Sequence, residues 1–62
     1  MKKFAYLFPL GGKIEWSIET EDSLPTRADT AEDRTEISDF IRVSKVGWHT
    51  QLSTGEFIFR TE

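Results

Sequence analysis

This 62-residue sequence contains no cysteine, a single histidine, two prolines and no apolar stretch longer than Phe4–Gly12. Without cysteine there is no disulfide framework, no thiolate metal site and no thiol nucleophile, a composition that suits a reducing, cytoplasmic setting. The apolar stretch starts after Lys2-Lys3, as a secretory leader does. Pro9, Gly11 and Gly12 interrupt it, Lys13 closes it and no small-x-small site follows, so a leader is not expected. It is also far short of the roughly 20 residues that cross a bilayer, so no membrane partner is expected. Glycine is absent from Lys13 to Val46, which removes the central turn of a calcium loop of the EF-hand type from the acid-rich part of the chain. Gly11-Gly12-Lys13 has the residue types of a phosphate loop but lacks its strand, Gly-rich loop and helix setting. No metal or other cofactor is expected.

Catalytic residues are equally scarce. His49 alternates with Trp48 and reads as a half-exposed surface imidazole, with no orienting partner in sight. Ser17, Ser23, Ser38, Ser44 and Ser53 stand in no nucleophile motif. A chain this short buries only roughly 60% of its unfolded surface, and its eight aromatics, at about 150–250 Å² each, are expected mostly in the core. That leaves little room for a ligand pocket of ~300 Å³ or more. The expectation is therefore a protein without catalytic activity.

What the chain does have is charge asymmetry. Between Ile14 and Ile41 lie nine of its eleven carboxylates (Glu15, Glu19, Glu21, Asp22, Asp29, Glu32, Asp33, Glu36 and Asp39) against Arg27 and Arg34, a local charge of −7 within a net −3. The flanks are basic, through Lys2, Lys3 and Lys13 on one side and Arg42, Lys45 and Arg60 on the other.

The pattern of elements predicts an α+β domain. Phe4–Leu10 reads as a strand apolar on both faces, and Gly11-Gly12 as a two-residue hairpin turn that needs positive φ. Lys13–Thr20 alternates, with Ile14, Trp16 and Ile18 expected inward and Glu15, Ser17 and Glu19 outward. Glu21–Asp29 reads as a loop, the most mobile segment, with Leu24 held extended by Pro25. Asp29 and Glu32 resemble an N-cap and its capping-box partner, and Ile37, Phe40 and Ile41 share a face, so a helix is expected over Ala31–Val43. Gly47 is expected to cap the helix or to turn the chain. A second hairpin follows from Trp48 to Thr61 about the loop Ser53-Thr54-Gly55, with Phe57 and Phe59 on one face and Ile58 and Arg60 on the other. The order is β-β-α-β-β, a four-stranded antiparallel sheet with the helix on one face. The alternative, an all-β meander of about five strands, follows if Ile41–Val46 is a strand, but it leaves a loop near 20 residues, which compact domains rarely contain.

Contiguous like charges repel, so the acidic belt is costly unless a basic surface covers it, although solubility alone accounts for many such belts. The leading expectation is a small acidic inhibitor or accessory protein that docks Glu21, Asp22, Asp29, Glu32, Asp33, Glu36 and Asp39 on a basic, nucleic-acid-binding protein. Regulators that viruses or mobile elements direct at a host's nucleic-acid machinery have this size and charge. Two alternatives belong to other classes. In one, Phe4, Tyr6, Phe8, Phe57 and Phe59 stack single-stranded bases while the flanking lysines and arginines meet phosphate, against the repulsion of a net-negative chain. In the other, one helix covers only one side of the sheet and the apolar remainder pairs two copies as a homodimer.

Overall fold

Gly11 and Gly12 adopt φ of 59° and 79° and fold strand β1 (Lys3–Leu10) back onto β2 (Lys13–Thr20), as a two-residue turn with both central residues at positive φ does. The computed structural model describes all 62 residues. After β2 come a 3-10 turn (Leu24–Arg27), helix α1 (Ala31–Val43), β3 (His49–Gln51) and β4 (Phe57–Arg60). The strands form one sheet in the order β2-β1-β4-β3, with every pair antiparallel and α1 packed on one face. This is the expected β-β-α-β-β domain. Residues 41–43 finish the helix, and residues 44–46 lead out of it toward the Gly47 turn without forming a strand.

Helix α1 begins one residue later in its cap than the spacing suggested. Thr30, not Asp29, is the N-cap: its backbone is extended, and its hydroxyl accepts the Asp33 N–H at 3.1 Å. At the other end Ser44, not Gly47, is the C-cap, and its N–H donates to the Phe40 carbonyl. Gly47 instead turns the chain at φ 93° and donates to the Arg60 carbonyl, which leads into β3. Carbonyls left over at the helix end are taken by basic side chains, with Lys2 Nζ donating to Ile41 O at 2.8 Å and the Arg60 guanidinium to Ser44 O.

The core consists of Phe4, Tyr6, Leu24, Ile37, Phe40, Leu52 and Ile58, with the Phe4 and Phe40 rings 6.1 Å apart. Leu24 is fully buried and opens the 3-10 turn; it is not extended, and it anchors the segment expected to be a free loop. Only Phe4, Tyr6 and Phe40 of the eight aromatics are buried, whereas Trp16, Trp48, Phe57 and Phe59 are exposed.

The main departure from expectation is in β2. The tight turn pairs Leu10 with Lys13, which brings Phe8 opposite Glu15, Tyr6 opposite Ser17 and Phe4 opposite Glu19. Directly paired residues share a face, so burying Phe4 and Tyr6 carries Glu15, Ser17 and Glu19 to the helix side. Ile14, Trp16 and Ile18 are thereby turned outward, at 67%, 65% and 53% exposure.

Candidate functional site

The seven belt carboxylates expected to bind a partner stand in different surroundings. Asp33 is only 2% exposed: its Oδ1 accepts the Ser53 hydroxyl at 2.9 Å, tying the first turn of α1 to the loop between β3 and β4. It is a structural residue, and a partner cannot reach it. Asp39 is exposed but accepts from Arg42 at 3.1 Å, one turn further along the helix. Glu21, Asp22, Asp29, Glu32 and Glu36 are exposed, and none is in an ion pair. Glu32, Glu36 and Asp39 recur at the spacing that lines up one flank of a helix. Val43 continues the same line.

Glu19 is the carboxylate that the inverted strand drives inward. It lies under Arg27, whose Nε and Nη2 donate to its Oε2 at 3.2 and 3.0 Å, and the Ser17 hydroxyl adds a third bond at 2.6 Å. Burial pushes its carboxyl upward, but hydrogen bonds from Ser17, Ser23 and Arg27 outweigh that and hold it below the usual glutamate range. The same guanidinium spreads over Tyr6 and Phe8, 5.6 and 5.7 Å from their ring centroids. Arg27 thus closes the part of the helix-side face that α1 leaves open, with a flat cation that satisfies the acid and covers the rings.

The opposite face of the sheet has no cover. Ile14, Trp16 and Ile18 form a ridge along β2 and Phe57 and Phe59 a second along β4, with Ala5 and Leu7 of β1 between them. His49 stacks on Phe59 at 5.3 Å and continues the second ridge onto β3. At one end an open depression of about 440 Å³ is lined by Leu7, Phe8, Pro9, Ile14, Gly55 and Phe57. The core leaves room for an opening of this size after all, on the outside of the sheet. No side chain that could transfer a proton lines it. The sequence pattern anticipates an uncovered apolar face but assigns Ile14, Trp16 and Ile18 to the interior; the pairing of Leu10 with Lys13 across Gly11-Gly12 turns them onto the uncovered side.

The basic residues are mostly engaged. Lys2 and Arg60 hold the helix end, Lys3 pairs with Glu62 at 3.6 Å, and Arg27 and Arg42 pair with acids. Phe4 and Tyr6, two of the aromatics expected to stack bases, are buried. Nowhere do three His, Asp or Glu side chains converge as a metal site requires. No helix is long and apolar enough to cross a membrane. Comparison with protein-family models, with curated proteins and with solved structures finds no match to this chain.

Proposed function

We propose that this chain is a binding protein without catalytic activity, which docks the acidic flank of α1 and the adjoining 21–29 segment on a basic surface of another protein. The observation that supports this reading is the exposure of Glu21, Asp22, Asp29, Glu32 and Glu36 with no cation of the chain paired to them. Their mutual repulsion is relieved when lysines and arginines of a partner face them. Such a contact forms fast and weakens with salt, because exposed charges are screened beyond about 8 Å at physiological ionic strength.

The partner with the fitting chemistry is a nucleic-acid-binding protein, whose cationic surface is built to receive closely spaced negative charge. Occupying that surface would exclude the polyanion, so the outcome is inhibition by competition. A viral or mobile-element regulator acting on host machinery is the biological setting this reading favours.

The test is a tagged capture from nuclease-treated lysate, washed at low and high salt, run beside a variant carrying Glu21→Gln, Asp22→Asn, Glu32→Gln and Glu36→Gln. The expected result is one basic protein held at low salt by the parent chain and lost by the variant. Equal affinity and equal salt dependence for both chains would remove the acidic surface from the interface. Asp33 is left intact because its loss would loosen the fold.

A further inference from the structure

The sheet face turned away from α1 has no partner within the chain, and we infer that a second copy of this chain covers it, sheet against sheet about a two-fold axis. Size is the first argument. Ile14, Trp16, Ile18, Phe57 and Phe59 together present on the order of 600 Å² to solvent, at the upper end of the largest apolar patch on a typical monomer. Covering them on two copies removes on the order of 1,200 Å², where specific stable interfaces begin. Ala5, Leu7 and Pro9, which lie among them, add to that area.

Shape is the second argument. The Ile14–Trp16–Ile18 and Phe57–Phe59 ridges flank a trough floored by Ala5 and Leu7, and the 440 Å³ depression lies at one end of it. An isologous interface needs a surface that fits itself. A ridge beside a trough does so when rotated by a half turn, and the depression has room for the indole of a facing Trp16.

Charge is the third argument, and it selects the occupant. Lys3 is the one charged strand residue on this face, and Glu62 pairs with it. Two chains of net −3 therefore meet through uncharged surfaces and keep their acidic helix flanks outermost. A nucleic-acid strand would need cations beside the aromatics to hold its phosphates, and this face offers none that is free. The dimer carries an acidic surface on each outer side, and its formation does not depend on what those surfaces bind.

Sedimentation velocity over a concentration series of the full chain tests this, with Trp16→Lys and Phe59→Lys as variants and Glu36→Gln as a control. Far-UV circular dichroism checks that each variant is folded. The expected result is a concentration-dependent dimer for the parent chain and for Glu36→Gln. In either lysine variant the dissociation constant should rise by about 30-fold or more, as for a truncated interface anchor. Thermal midpoints should climb with protein concentration in the parent and stay flat in the lysine variants. A parent chain monomeric up to about 1 mM overturns the inference. So does a dimer indifferent to both lysine substitutions, which would place the contact elsewhere. So does quenching of tryptophan fluorescence in a monomer by a single-stranded oligonucleotide, which would hand the face to nucleic acid.

Discussion

On the helix side of the sheet Phe4, Tyr6 and Ile58 are sealed against Ile37, Phe40 and Leu24, whereas on the other side Ile14, Trp16, Ile18, Phe57 and Phe59 stand in solvent. By residue type the second face is as apolar as the first. What separates them is supply: a chain this short makes one helix of 13 residues, and one helix covers one face. The covered face is also the chemically mixed one, because it receives Glu15, Ser17 and Glu19 from β2. It succeeds as a core because Arg27 neutralises Glu19 and roofs Tyr6 and Phe8. Apolar composition therefore does not tell which side of a small sheet is the interior.

The sharpest way to break the comparison is to truncate one large side chain on each face. Phe4→Ala should cost about 3–5 kcal/mol, a large share of what so small a domain possesses, while Trp16→Ala should change the stability of the dilute chain by less than about 1 kcal/mol. Denaturant titration at low protein concentration checks both, and similar losses for the two would mean that the faces are not distinct.

Next in size is the link between α1 and the second hairpin. Asp33→Ala should destabilise by roughly 1–3 kcal/mol, since Ser53 loses its acceptor, and Ser53→Ala should cost less. A double-mutant cycle should return a coupling of at least about 0.5 kcal/mol between them.

Removing the roof should come third. Arg27→Ala is expected to cost roughly 1–2 kcal/mol, less than for a fully buried pair because Arg27 is partly in solvent. The Glu19 carboxyl lies lower in the folded chain than in the unfolded one, so it binds its proton more weakly when folded. Its contribution is complete above the ordinary value of 4.5 and is lost as pH falls through the folded value. Acid unfolding of the parent should therefore show a limb in that window that Glu19→Gln lacks and Arg27→Ala weakens.

The smallest effect belongs to the outer flank of the helix. Glu36→Gln removes a like-charge neighbour of Glu32 one turn away and should stabilise by about 0.2–0.5 kcal/mol, a gain that shrinks at high salt. A clear loss would mean that Glu36 holds something inside the fold.

Much of the architecture was legible because its signals are local. Helix α1 follows from the Ile37, Phe40 and Ile41 spacing, and the first turn from Gly11-Gly12, whose positive φ suits residues without a Cβ. Most of the acidic surface was legible too, in the sense that Glu21, Asp22, Asp29, Glu32, Glu36 and Asp39, six of the seven carboxylates, are exposed as expected. Asp33 was not, because a carboxylate in the first turn of a helix suits the helix dipole whether it points to water or to a serine 20 residues away. Glu19 was misread for a related reason: its escape from water depends on Arg27, brought back by a turn anchored on Leu24.

By itself, the sequence determined where the strands and helix run, where the chain turns, that no thiol chemistry is present and that negative charge gathers between Ile14 and Ile41. Only the tertiary structure decided which side of β2 is inside and which carboxylates remain free. An alternating strand reads the same with either face toward the core, and that symmetry is broken only when β1 pairs with it across a two-residue turn and a single helix closes over one side.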